Sequence, residues 1–122
     1  MEIFKNRLIT PELTAALSDY PLYSQDGKGK DALCIAVFYI CNIRWYILEG
    51  QQEGTDFTLY GIVTGMCETE YGYMSATGME GITHNVQGLG TFRIEQDKSF
   101  KPCKLSEIDN PELQEFLSKL YD

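Results

Sequence analysis

Leu33-Cys-Ile-Ala-Val-Phe-Tyr-Ile40, Ile43-Arg-Trp-Tyr-Ile-Leu48, Phe57-Thr-Leu-Tyr-Gly-Ile-Val63 and Tyr71-Gly-Tyr-Met74 follow one another with only short breaks. β-Branched and aromatic residues at this density suit a pleated, half-buried surface. A parallel crossover needs a dozen or more residues, so runs this close together predict neighbouring antiparallel strands. The first run is apolar on both faces and reads as a central strand. The second alternates, with Trp45 and Ile47 on one face and Arg44 and Tyr46 on the other. In the third, Phe57, Leu59 and Val63 share a face with Gly61, and Thr58, Tyr60 and Ile62 take the opposite one. A fourth strand is expected near Glu68 to Met74. Cys41-Asn42 makes a tight turn, with Asn as the residue that tolerates positive φ.

Helices are expected on either side of this block. Thr10 caps, Pro11 takes the first helical position and Glu12 suits the positive end of the dipole, ahead of Leu13, Ala16 and Leu17. The turn-rich stretch from Tyr20 to Lys30 reads as the most mobile loop. Thr77-Gly-Met-Glu80 resembles a capping box opening a short helix to about Val86. Thr91 to Ile94 reads as a short fifth strand. At the end of the chain Asn110 caps and Pro111 follows, while Leu113, Phe116, Leu117 and Leu120 recur at i, i+3, i+4 and i+7. The fold class is therefore α+β. A mostly antiparallel sheet of four or five strands carries N-terminal, middle and C-terminal helices, with the two terminal helices on one face. Residues 1–122 form a single domain, a length that buries roughly two-thirds of the unfolded surface.

The chain has 10 basic and 18 acidic residues, a net charge of −8. Phosphate binding relies on Lys and Arg displacing counterions, so this excess of acid opposes direct contact with nucleic acid. Solubility is the ordinary role of such acidity; a sharper one is an acidic protein-contact surface that imitates a nucleic-acid backbone. The four cysteines, Cys34, Cys41, Cys67 and Cys103, show no C-x-x-C spacing and there is one histidine, His84, which argues against zinc. Cys34 and Cys41 read as small buried hydrophobes in a reducing compartment. No signal-peptide core and no run of membrane-spanning length is expected, so the cytoplasm is the default location.

Two acidic pairs stand out. Glu68 and Glu70 share a face of a strand, as do Glu95 and Asp97 near the fifth strand. If the two segments lay side by side, four carboxylates would converge and could recruit a hard cation for hydrolysis. The alternative is that all four are solvated surface acids. Cys67 and His84 form a conceivable nucleophile–base pair. Tyr39, Trp45, Tyr46, Tyr60, Tyr71 and Tyr73 would make a stacking platform for bases only with basic neighbours, and Arg44 alone is near. A tyrosine patch also suits protein binding. The candidate binding residues are thus Glu70, Glu95, Asp97, Glu68, Trp45 and Tyr73. No motif implies a cofactor or a resident metal. A binding role with another protein as partner is favoured over catalysis, with a metal-dependent hydrolase as the alternative.

Leu8-Ile-Thr-Pro-Glu-Leu13, Trp45-Tyr46 followed by Glu49, Leu59-Tyr-Gly-Ile-Val63, Glu70-Tyr-Gly-Tyr73, and Ile94-Glu-Gln-Asp97 followed by Phe100-Lys-Pro102 occur in that order. In these segments the chain resembles the bacterial domain of unknown function 2958 family. Gln96 stands where arginine is usual in that family, and the turn at Cys41-Asn42 is shorter. Members are small proteins of plasmids, conjugative elements and phages without an established activity. The resemblance implies a setting in mobile-element biology and no chemistry.

Overall fold

The structure, a computed structural model, describes residues 2–122. Helix α1 (Pro11–Leu17) precedes strands β1 (Leu33–Cys34), β2 (Ala36–Ile40), β3 (Ile43–Glu53), β4 (Asp56–Thr64) and β5 (Glu70–Ser75). Helix α2 (Ala76–Glu80), strands β6 (Thr83–Val86), β7 (Gly90–Arg93), β8 (Glu95–Gln96) and β9 (Cys103–Lys104), and helix α3 (Pro111–Tyr121) complete the order. The main sheet has five antiparallel strands arranged β5-β4-β3-β2-β8. This is the α+β fold with the antiparallel sheet and three helices that the apolar runs call for.

The alternation along β3 and β4 divides the core into two. On one face Leu13 and Leu17 of α1 and Ala76 and Met79 of α2 pack with Phe38, Trp45, Ile47 and Leu59. On the other, Leu113 and Leu117 of α3 pack with Val37, Tyr46, Leu48 and Ile62. The terminal helices therefore cover opposite faces, not one. The apolar residues that β2 presents on both sides require a layer on each. Both predicted caps form: the Thr10 side chain accepts from the Leu13 N–H and the Asn110 side chain from the Leu113 N–H, each at 3.2 Å.

Three local expectations are corrected. The positive φ of the β2–β3 turn falls on Cys41 (φ 53°), one residue before Asn42. Ser75 caps α2, its Oγ accepting from the Gly78 N–H at 3.1 Å, and Glu80 turns to the Arg7 N–H instead of reaching back to Thr77. The helix stops at Glu80; the residues up to Arg93 form a separate two-stranded hairpin, β6–β7, and the main sheet gains its fifth strand from β8. β-Branched Thr83, Val86 and Thr91 around a glycine-bearing turn favour the hairpin over a helix.

A bulge interrupts the alternation of β3. Ile47 pairs with Gly61 but Glu49 pairs with Tyr60, so Leu48 is the extra residue. A Cβ on Gly61 would stand 1.9 Å from the Tyr46 carbonyl oxygen, so only glycine admits this approach. The extra residue shifts the pattern by one and puts Glu49 on the α3 face, in register with Tyr60.

Candidate functional site

The four carboxylates do not converge. Glu70 lies on β5 and Glu95 on β8, the two outer strands of the sheet. Four inter-strand spacings separate them, on the order of 19 Å. Glu95 is neutralised by Arg7 at 3.1 Å and Arg93 at 2.8 Å. Asp97 accepts from the Ser99 N–H and hydroxyl at 3.0 and 2.6 Å, closing a local turn. Glu68 lies with Glu112, Glu115, Thr69, Phe116 and Lys119 along a groove of about 330 Å³ beside α3. Among the described residues no group of three or more His, Cys, Asp or Glu is placed to hold a metal ion. Trp45 is buried on the α1 side of the sheet, on the face opposite Tyr46, Tyr60 and Tyr71, so these aromatics make no single stacking surface. His84 lines a groove with Cys41 and Met66; Cys67 is not among that groove's lining residues.

Of the candidate residues, Tyr73 joins a cluster of tyrosines. On the α3 face near the β5 edge, Tyr60 lies 5.8 Å from Tyr71 with rings almost parallel and 4.7 Å from Tyr73. Tyr71 packs on Phe116 and shares a hydroxyl hydrogen bond of 2.8 Å with Tyr121. Tyr23 completes the group, its phenol acting on that of Tyr73. Tyr23 is 65 % exposed and Tyr73 56 %.

Glu49 organises this group and was missed in the sequence. It is 2 % exposed, and its two carboxylate oxygens accept from the Tyr23 and Gln25 N–H groups, each at 2.8 Å. Tyr23 has φ 75°, a left-handed conformation costly for a residue with a Cβ. The buried carboxylate holds that conformation and presents the ring beside Tyr73. Gln25, also buried, donates to the Leu33 and Leu48 carbonyls at 2.7 and 2.8 Å and accepts from the Leu33 N–H at 2.6 Å. The stretch from Tyr20 to Lys30 is thus pinned to the sheet rather than loose. Alternation patterns carry no sign of this, because the anchors are polar side chains whose partners are backbone groups far along the chain.

The electrostatics favour the protonated phenol at Tyr60, Tyr71 and Tyr73. Burial, then the charges of Glu49 and Asp26, raises Tyr60. Burial, then the hydroxyl bond to Tyr121, raises Tyr71 well above the phenol range, and the neighbouring Tyr23 phenol pushes Tyr73 up to about 12. Hydrogen bonds from the Thr69 hydroxyl and the Gly65 N–H lower Glu112, which is therefore an anion at neutral pH. The site is a set of neutral, amphipathic aromatic bodies with carboxylates along one side.

Among the described residues no helix is long and apolar enough to cross a membrane. No family model, no curated protein and no solved structure matches the chain.

Proposed function

We propose that this protein acts by binding another protein, and that the partner docks a basic, arginine- or lysine-bearing segment on the tyrosine face. The observation that carries the reading is Tyr23: an exposed aromatic ring held in a strained backbone conformation by a buried carboxylate. Strain of this kind persists only where the surroundings impose it, and it gathers at functional sites. Tyrosine is an anchor residue of protein interfaces, and cations favour the faces of its ring. Glu68 and Glu112 in the adjoining groove, and a net charge of −8, match a cationic partner. The resemblance to the domain of unknown function 2958 family adds mobile genetic elements as the setting, with the cytoplasm as the place of action. The metal-dependent hydrolase draws no support from the geometry, since its four carboxylates sit on opposite edges of the sheet.

Calorimetric titration with an extended arginine-rich peptide tests this reading. Saturable binding is expected, weakened as salt shortens the range of the charges. Tyr23→Ala and Tyr73→Ala each weaken it about tenfold, a loss of roughly 1.4 kcal/mol, while leaving the fold intact. Absence of binding at low salt, or binding indifferent to both substitutions, removes the proposal.

A further inference from the structure

β5 (Glu70–Ser75) ends one side of the main sheet, and β8, only two residues long, ends the other. Hydrogen bonding alternates along an antiparallel strand, one residue bonding to one neighbour and the next to the other. The Gly50 N–H donates to the Tyr20 carbonyl at 3.0 Å, which turns Gly50 away from its register partner Leu59. Leu59 therefore bonds the other way, to Met74 of β5, and Gly61 bonds to Gly72. The main-chain N–H and C=O groups of Tyr71 and Tyr73 are left pointing outward. The 2.9 Å bond from the Asp97 N–H to the Val37 carbonyl, at the far side of the sheet, sets the same phase.

Proteins blunt an open sheet edge with lysine, proline or a bulge. β5 contains neither residue, and its six pairs with β4 run without a shift of register. A Cβ on Gly72 would meet nothing within 4 Å, so the strand is uncovered on that face. The surroundings carry one sign of charge. No Lys or Arg occurs between Arg44 and Arg93, a stretch that holds Glu49, Glu53, Asp56, Glu68, Glu70 and Glu80. Asp56 accepts from the Ser75 hydroxyl at one end of β5, and Glu70 begins the strand at the other. Lys119 in the adjoining groove is taken up by Glu115 at 3.1 Å.

We infer that β5 receives an extended, cation-bearing segment of the partner protein as a sixth, antiparallel strand of the main sheet. This pairing rests on the reading that a basic segment docks at the tyrosine face, and it adds the backbone geometry that holds the segment. A residue opposite Tyr71 or Tyr73 exchanges main-chain bonds with it and points its side chain to the same face. Residues two apart on a strand stand about 6.8 Å apart on one face, so an arginine or lysine at every second place keeps step with the two rings. The intervening side chains fall beside Gly72, where there is room. A second copy fits less well. It would set this cation-free edge against itself in two chains that each carry −8, whereas a basic segment matches the charge and the open bonds together.

Calorimetry on the full chain with an alternating Arg-Thr peptide of about eight residues tests this pairing. Methyl groups on the arginine amides occupy the places that face β5 and are expected to lower the affinity at least about tenfold. Methyl groups on the threonine amides point to solvent and leave it within about threefold. Amide exchange gives a second readout that needs no altered protein. The Tyr71 and Tyr73 N–H groups, open in the free chain, exchange at least about tenfold more slowly with the unmethylated peptide bound, and those of Gly72 and Met74, already bonded to β4, change less. A peptide that binds through Tyr23 and Tyr73 but is indifferent to which amides carry methyl groups would overturn the strand pairing and leave the docking face standing. Absence of binding at low salt removes both. Tyr71 and Tyr73 exchange that slows with protein concentration in the absence of peptide would make the occupant a second copy and overturn the assignment.

Discussion

The segment from Tyr20 to Lys30 and the arm from Gly81 to Arg93 look alike in sequence and behave oppositely in the fold. Both are rich in glycine and polar residues, and each turns through glycines at positive φ, Gly27 and Gly29 in one, Gly88 and Gly90 in the other. The first is nailed to the sheet by Gln25 and Glu49, whose side chains bond backbone groups on β1, β3 and the segment itself. The second is clasped at its root. There the Arg7 guanidinium donates to the Ile94 carbonyl at 2.6 Å, to Glu95 at 3.1 Å and to the Glu80 carbonyl at 3.4 Å. Two buried polar side chains make the difference. One region becomes a rigid platform that presents Tyr23, and the other remains a projecting ribbon.

The largest test applies one chemical change to both regions. Gln25→Leu leaves the Leu33 N–H, the Leu33 carbonyl and the Leu48 carbonyl without their side-chain partner in a buried setting. Each unsatisfied group costs on the order of 1 kcal/mol or more, so a loss of about 3 kcal/mol is expected. Gln87→Leu, the same exchange on the exposed arm, should stay within about 0.5 kcal/mol. Urea denaturation midpoints measure both. Comparable losses at the two positions would dissolve the contrast between platform and arm.

A smaller effect is expected from Arg7→Ala. The substitution removes the clasp that joins Glu80, where the arm departs, to Ile94 and Glu95, where it returns. Hydrogen bonds from a charged donor carry more than neutral ones, and Arg7 is partly exposed, so about 1–2 kcal/mol is expected. The sharper readout is amide exchange. Protection should fall in β6 and β7 and stay unchanged at Tyr23 and Gln25, whose N–H groups are bonded to Glu49. Equal loosening of both regions would show that the root of the arm and the platform open as one unit.

Which parts were legible depends on what alternation can encode. The strands announced themselves because residues one apart on β3 and β4 go to different cores, Trp45 and Ile47 to one, Tyr46 and Leu48 to the other. The caps at Thr10 and Asn110 were legible because they act within one turn. Strand order was not. Nothing local in Glu95 and Asp97 says that β8 joins β2 rather than β5, and the convergence of the four carboxylates was conditional on that long-range pairing. Among the candidate site residues, Tyr73 was proposed from its place in an aromatic run. Tyr23 and Glu49 were not, because the bulge at Leu48 that brings them together is a departure from the very alternation being read.

The smallest expected effect uses a thiol as reporter for the pinned region. Cys34 follows Leu33, whose N–H and carbonyl both bond Gln25, and pairs across β1–β9 with Cys103. Burial, then the proximity of Cys103, raises the Cys34 thiol far above the ordinary cysteine range; burial, then Glu107, raises Cys103 as well. Cys41 and Cys67 are exposed and should be alkylated first near pH 8, Cys103, with its raised thiol, more slowly, and Cys34 only through opening of the segment. The raised value also sets a pH dependence. Folded Cys34 keeps its proton where the unfolded chain has lost it. Its contribution to stability is therefore complete below the unfolded thiol value of about 8.5 and is lost as pH rises through the folded one. Stability should be flat in this respect from pH 7 to 8 and decline in alkali, with Cys34 gaining reactivity in step. Gln25→Leu should advance that reactivity to neutral pH, and Arg7→Ala should not. Mass spectrometry of alkylated peptides resolves the four sites, and native Cys34 reacting as fast as Cys67 at pH 8 would show that the platform is no better fastened than the arm.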